Sequence, residues 1–314
     1  SSRIQDSFRY MQQSRQIGKV IINLSTPQAA EQNFNSTKSA LHLDPKANYL
    51  ITGGLSGFGL RTAKWLAEKG ALHLTLLGRK GVVTPESKKA VSELQSSGIT
   101  VYAPPCDVSD LKQLTKVMNE LETTAPALRG IIHAATLFDD SLLRNLSRER
   151  LDKVLKPKAL GAWNLHQLTQ ASSLEFFVLY SSATTLFGNP GQGNYVAANY
   201  MLESLVSHRR SLGLAASYAA WGAISDAGFL ARNKDTQESL LSRLGGAALS
   251  ADQAMKELEQ LIISGDQGAA MINFDWKTIN RAMPSGKSRK FTQQNNWLLL
   301  HGGSSGENED FFTR

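Results

Sequence analysis

The chain has 314 residues, of which 41% are hydrophobic and 19% charged, with a net charge of +7. A sizeable buried core is within reach and a disordered chain is excluded; no apolar stretch nears the roughly 20 residues that a membrane-spanning helix needs, so no membrane partner is expected. The one cysteine, Cys106, excludes an internal disulfide and a cysteine-based metal cluster; no metal is expected, and the setting read from it is the reducing cytoplasm. Lys and Arg are scattered, with short clusters at Arg209-Arg210 and Lys287 to Lys290. That pattern points to solvated helix faces, an acidic protein partner or the phosphates of a dinucleotide, and away from a nucleic-acid groove.

In residues 1–25, Phe8 to Met11 reads as a helix end, Gly18 as a stop and Lys19 to Ile22 as a strand. Residues 26–46 carry Pro27, several Gln and Asn and no sustained periodicity, and are expected to be a linker. From 47 to 283, short apolar runs alternate with helical patterns. This predicts a Rossmann-like, doubly wound α/β domain around a parallel sheet of about seven strands. The predicted strands are Tyr49 to Thr52, Leu72 to Leu77, Thr100 to Ala103, Gly130 to His133, Phe176 to Tyr180, Ala216 to Ala220 and Ala270 to Phe274. Ser250 to Gln253 reads as a capping box opening a helix through Met255, Leu258 and Leu261. Residues 284–314 are polar and glycine-rich apart from Trp297 to Leu300, and are expected to be a tail or a link to a further domain.

The run Tyr49-Leu50-Ile51-Thr52-Gly53-Gly54-Leu55-Ser56-Gly57-Phe58-Gly59-Leu60 places a glycine-rich turn between a strand and a helix that carries Ala63, Leu66 and Ala67 and stops at Gly70. Glycines admit close backbone approach to a pyrophosphate, and the helix N-terminus offers free N–H groups. A glycine turn also joins strand to helix for purely structural reasons; its position after a strand and before a helix favours the dinucleotide. About 20 residues further on, where an NAD site places an acidic residue, stands Leu77-Gly78-Arg79-Lys80. Arg79 suits a 2′-phosphate and could stack on adenine, so NADP(H) is preferred. Asp107, after the third strand, either contacts the adenine edge or caps the next helix.

Three segments converge if the sheet is parallel, because ligands bind at the carboxyl ends of the strands. Ser181-Ser182 follows a buried strand. Tyr195 and Asn199, four apart, share one face of a helix that continues through Leu202, Leu205 and Val206; taken alone, Tyr195 would be a core tyrosine. The helix from Ser147 to about Leu168 carries an apolar stripe of Leu151, Val154, Leu155, Ala162 and Leu165, and Lys158 lies on it beside Pro157, which should bend the helix. A lysine on a buried stripe is unusual; snorkelling to the surface is the alternative. Reducing a ketone needs a hydride donor, a proton donor and a group that holds the carbonyl. Tyr195 would donate the proton, Lys158 would favour its ionised form, Ser182 would hold the carbonyl oxygen, and Asn199 would order the lysine or a water relay.

These residues resemble the ketoreductase domains of type I polyketide synthases and related fatty acid synthases, in the short-chain dehydrogenase/reductase superfamily. The resemblance runs from about Tyr49 to Asp275 and rests on the glycine turn, Ser182, Tyr195 and the stretch from Asp139 to Asn199. Most of the superfamily carries a lysine four residues after the tyrosine; here Asn199 stands there and Lys158 takes the usual place of an asparagine, an exchange characteristic of the synthase ketoreductases. The resemblance implies reduction of a β-ketoacyl chain carried on the phosphopantetheine of an acyl carrier protein. It assigns NADPH binding to Thr52, Gly53, Gly54, Ser56, Gly57, Phe58, Gly59, Gly78, Arg79, Lys80, Asp107, Val108, His133, Ala134, Ala135 and Trp221.

Leu137-Phe138-Asp139-Asp140 resembles the Leu-Asp-Asp motif of B-type domains, with Phe138 a departure and Asp140 retained. Pro190 and Asn194 also match that type, and Phe187 stands where A-type domains carry tryptophan, which implies a D-configured β-hydroxyl product. Trp221-Gly222 followed by Asp226 to Phe229 resembles the nicotinamide-contacting segment and lid, with Phe229 replacing a common methionine. Phe8 to Ile22 resembles the end of an enoyl reductase domain, which implies an excised piece of a synthase with neighbouring enoyl reductase and dehydratase domains. The structural half-domain that pairs with such ketoreductases is not recognisable. Two rival readings are a catalytically silent NADP(H)-binding module, whose examples usually lose the glycine motif or the tyrosine, and a nucleotide-sugar epimerase or dehydratase, whose Tyr-x-x-x-Lys spacing Asn199 breaks.

Overall fold

A computed structural model describes residues 40–228 and 248–273, apart from the side chain of Phe187. β1 (Asn48–Thr52), β2 (His73–Leu77), β3 (Thr100–Tyr102), β4 (Leu128–His133), β5 (Phe176–Ser182), β6 (Ser217–Trp221) and β7 (Gly268–Met271) form one sheet in the order β3-β2-β1-β4-β5-β6-β7. Every pairing is parallel. Alternate residues feed opposite layers, as the pleat requires. Tyr49, Ile51 and Val178 join Leu66, Leu94 and Leu258 on one side of the sheet. Leu50, Ile131, Phe177 and Leu179 join Leu114, Leu165 and Leu202 on the other. Burial on both faces explains why β1 and β5 read as unbroken apolar runs.

The helices are α1 (Gly57–Glu68), α2 (Pro85–Ser96), α3 (Leu111–Thr124), α4 (Arg148–Leu155), α5 (Gly161–Leu168), the short α6 (Thr184–Phe187), α7 (Gly193–Ser211) and α8 (Ala251–Ser264). Ser250 and Gln253 close the expected capping box of α8: the Ser250 hydroxyl accepts the Gln253 N–H at 3.1 Å, and Gln253 Oε1 accepts the Ser250 N–H at 3.0 Å. The chain leaves β1 towards β2 on one side and reaches β4 on the other, so strand order reverses between β1 and β4. The carboxyl ends of those two strands therefore open a crevice.

The ends of β1 to β6 differ from expectation by one or two residues, and three further differences have a physical reason. The linker expected to reach residue 46 is part of the body from Leu41: the Leu41 N–H bonds Glu259 at 2.9 Å, the Leu43 N–H bonds the Lys69 carbonyl, and Leu43 is buried. Two leucines, Leu41 and Leu43, in a polar stretch carry too little periodicity to announce this. β7 begins at Gly268, because a bare glycine lets the Tyr218 ring lie where a Cβ would sit; Phe274, the expected end of that strand, lies outside the described residues. The helix expected over 147–168 is divided by a π turn at Lys156–Leu160 between α4 and α5. The features expected in residues 1–25 and 284–314 also lie outside the described residues.

Tyr49 and Phe176 stack with ring centroids 5.8 Å apart, and a Cβ on Gly130 would lie 2.2 Å from Phe176 Cζ. Gly130→Ala is expected to destabilise the domain by about 1–3 kcal/mol through overpacking, read as a lower urea midpoint. The double variant Gly130→Ala/Phe176→Leu should recover most of that loss, and an unchanged midpoint in the single variant would contradict the packing described.

Candidate active site

The turn after β1 is built for backbone contact. Gly53 sits at φ +68° with the Ala134 carbonyl 2.9 Å from where a Cβ would be, and a Cβ on Gly59 would lie 2.3 Å from the Gly53 carbonyl. Only glycine closes both gaps. At the start of α1, Ser56 makes no side-chain cap and the first turn holds no acidic residue. The nearest anion comes from outside the helix, the Glu86 carboxylate at 3.5 Å from the Gly57 N–H. A positive helix end, whose first N–H is held only by that long contact, and a glycine-lined wall fit a pyrophosphate.

Lys158 rides on the π turn. Pro157 has no N–H and its ring crowds the preceding turn, so the regular ladder widens there. The sequence places the break correctly, but the chain answers it with a wider turn that keeps the helical direction. The Lys158 side chain is 2% exposed. Its Nζ donates to the Tyr180 carbonyl at 2.7 Å and stands 5.3 Å from the centroid of the Tyr195 ring. Burial pulls the amine down to about 7.

Tyr195 enters from α7, with its ring on Phe138 at 4.8 Å. Burial raises its phenol, and the side chains of Asn199, Ser182 and Thr136 pull against that rise, while the Asp140 charge adds to it. Ser182, at the end of β5, accepts the Thr184 N–H at 3.3 Å and the Thr184 hydroxyl at 3.0 Å. Its own hydrogen is therefore left to donate. Asn199 donates Nδ2 to the Tyr195 carbonyl at 2.8 Å, and its Oδ1 is buried with no hydrogen-bond partner among the described residues. The three sequence-predicted segments thus meet, whereas Lys158 Nζ bonds the Tyr180 carbonyl, with no bond to Asn199.

The surrounding predicted residues fall into distinct places. Arg79 and Lys80 are exposed just past β2. Asp107 accepts from the Ser109 N–H and hydroxyl, and it is Asp110 that caps α3; the capping alternative for Asp107 is corrected, because the helix starts one turn later than its position suggested. The Val108 side chain packs in the core against Gly161. His133 is 1% exposed with both ring nitrogens engaged. Phe58, Tyr180 and Trp221 form a ring cluster with centroids 5.1 to 5.5 Å apart, and Trp221 Nε1 is buried without a partner. Thr52, Ala134 and Ala135 line the mouth between β1 and β4, where the Thr52 carbonyl accepts the Ala134 N–H, and Gly78 packs on Leu55.

A second wall is zipped from two loops. Asp139 is paired with Arg150 and with Lys153 at 2.8 Å, the latter bond being the larger cause that holds its carboxyl low. Asn194 Nδ2 donates to the Asp139 carbonyl, Gln192 Nε2 to Asp140, and the Ser141 N–H to the Gly191 carbonyl. Pro190 is exposed in that turn. The Phe187 side chain and Phe229 lie outside the described residues. Sequence reasoning missed Thr136 beside the phenol and Thr184 behind Ser182; both follow a strand on the crevice side, a positional signal that their residue type does not strengthen.

A family model described as the KR domain matches residues 47–226. "Highly reducing polyketide synthase 40" of Fusarium mangiferae is 36% identical over 260 residues, 83% of this chain and 10% of that protein. "Polyketide synthase GfsB" of Streptomyces halstedii is 37% identical over 286 residues, 90% of this chain and 5% of that protein. The chain therefore spans a tenth or less of these relatives. A solved structure described as "Structure of A-type Ketoreductases from Modular Polyketide Synthase" superposes with a TM-score of 0.72 at 35% identity, covering 79% of this chain and 51% of that one.

Gly59→Ala should displace the Gly53 carbonyl and with it the anion-facing wall. The expected outcome is a loss of nicotinamide-nucleotide binding in a fluorescence titration, with the sheet intact by circular dichroism. Binding at wild-type strength would contradict this use of the turn.

Proposed function

Because the chain belongs to the KR domain family of polyketide synthases, we propose that it reduces the β-keto group of an acyl thioester with NADPH, giving the D-β-hydroxyacyl thioester. The substrate is carried on the phosphopantetheine of an acyl carrier protein, and enoyl reductase and dehydratase domains of the same synthase are its neighbours. The cytoplasm is the setting assigned, in keeping with the single cysteine. The observation that carries the chemistry is the meeting of Lys158, Tyr195, Ser182 and Asn199 at one crevice.

NADPH, when bound, supplies the hydride that reaches the β-carbon. The glycine turn fits its pyrophosphate, and Arg79, beyond β2, suits a 2′-phosphate, with no acidic residue in the place an NAD site would use. The Tyr195 phenol gives its proton to the carbonyl oxygen as negative charge develops there, and the free Ser182 hydrogen holds that oxygen. Lys158, beside the ring, stabilises the phenolate left behind. Asn199 offers its Oδ1 to the amine or to a water that returns the proton. Handedness is assigned to Asp140, Pro190 and Asn194, because the wall they belong to faces the phenol and limits how the acyl chain enters.

Pure protein with NADPH and a β-ketoacyl N-acetylcysteamine thioester should consume nicotinamide absorbance and yield the D-alcohol on a chiral column; no turnover, or the L-alcohol, would reject the reading or its stereochemical part. Tyr195→Phe should lower kcat roughly 100-fold or more while NADPH affinity is kept. A variant as active as wild type would put the chemistry elsewhere. The buried amine is protonated below about 7 and loses its charge above. The reduction rate should therefore fall as pH rises through that region, and Lys158→Met should be slow and lack that limb. Arg79→Ala should raise KM for NADPH and leave KM for NADH unchanged.

A further inference from the structure

We propose that His133 is a positioning residue for the reduction: its ring fixes the π turn that carries Lys158 by donating from Nε2 to the Lys158 carbonyl while Nδ1 accepts the Thr52 hydroxyl. The two contacts are 2.8 and 2.7 Å. A carbonyl only accepts, so Nε2 carries the hydrogen and Nδ1 the lone pair. The Thr52 oxygen already accepts the Ala135 N–H at 3.2 Å, which leaves its own hydrogen for Nδ1. The bonds therefore run in one direction, from the Ala135 amide through Thr52 and His133 to the Lys158 carbonyl, and all three side chains are buried. This inference rests on the reading of Lys158 as the partner of the phenol.

The π turn needs such a tie. Pro157 gives no N–H, and the Gly161 N–H is shared between the Lys156 and Lys158 carbonyls, so the helical ladder alone sets the direction of Lys158 weakly. Gly161 makes room for the ring, since a Cβ there would lie 3.2 Å from His133 Cε1. Burial pushes the imidazole down to about 3, and Lys158 is the charged group acting on it, so the neutral tautomer persists across the working range. Because Thr52 is the residue before Gly53, one ring joins the glycine turn to the amine under the phenol.

Two near-isosteric variants separate the arms. His133→Gln can still present an N–H to the Lys158 carbonyl, whereas His133→Asn keeps only an oxygen for Thr52. His133→Gln should keep severalfold more kcat than His133→Asn, which should lose about tenfold or more, while NADPH affinity and thioester KM differ between the two variants by no more than about twofold, as expected for lost positioning. Equal losses in both, or losses in KM or NADPH affinity instead of kcat, would reduce His133 to a fold residue and overturn the proposal. Nitrogen-15 histidine spectra of the unmodified protein, assigned by the signal missing in His133→Gln, give a readout free of turnover. They should show a neutral Nε2–H tautomer from pH 8 to about 5, well below the ordinary midpoint near 6.5. An Nδ1–H tautomer or an ordinary titration would overturn the proposal even in an active enzyme, and the expected tautomer in an inactive one would leave the reduction reading as the part that failed.

Discussion

A lysine amine with almost no access to water has to find its partners among backbone carbonyls and ring faces, and the catalytic end of this domain is arranged around that demand. Lys158 has the Tyr180 carbonyl at 2.7 Å and the Tyr195 ring at 5.3 Å. The carbonyl belongs to a residue of β5, a strand buried along its whole length, so the acceptor is held by the sheet. The amine itself is presented by a π turn, which gives it a direction that a regular helix would not.

Desolvation then acts on both members of the pair in opposite senses. It raises the phenol and lowers the amine, so two groups that ordinarily titrate close together are driven apart, each shifted towards its neutral form. Ser182, whose lone pairs are taken by Thr184, has only its hydrogen to offer. On the other side of the crevice the glycine turn works by omission: Gly53 and Gly59 leave backbone where other residues would put side chains. The site thus combines a dry, directed proton donor with a bare, anion-facing wall. The wall follows β1 and Ser182 ends β5, so both lie at carboxyl ends of one parallel sheet with β4 between them.

Much of this was legible in the residues because burial writes itself as apolar runs. β1, β4 and β5 are covered on both faces and announce themselves, and the strand-turn-helix order makes the glycine turn readable from the residues alone. Lys158 stood out because a charge on an apolar stripe is expensive. Pro157 marked the break but not its form, since a missing N–H is compatible with a kink, a stop or a wider turn. Asp107 and Asp110 are both plausible caps by type, and only the start of α3 separates them. The role of His133 was invisible, because its tautomer follows from which groups face the two nitrogens, and those come from residues 81 and 25 positions away. Leu41 to Lys46 looked like linker because a few backbone bonds and one buried leucine leave no periodic trace.

The most direct test of this arrangement is the titration of the Lys158 amine itself, followed by nuclear magnetic resonance of labelled lysine and assigned by the signal absent in Lys158→Met. The account predicts a midpoint near 7 in the folded protein, far below the ordinary lysine value, because the amine is buried. A midpoint indistinguishable from that of surface lysines would contradict it.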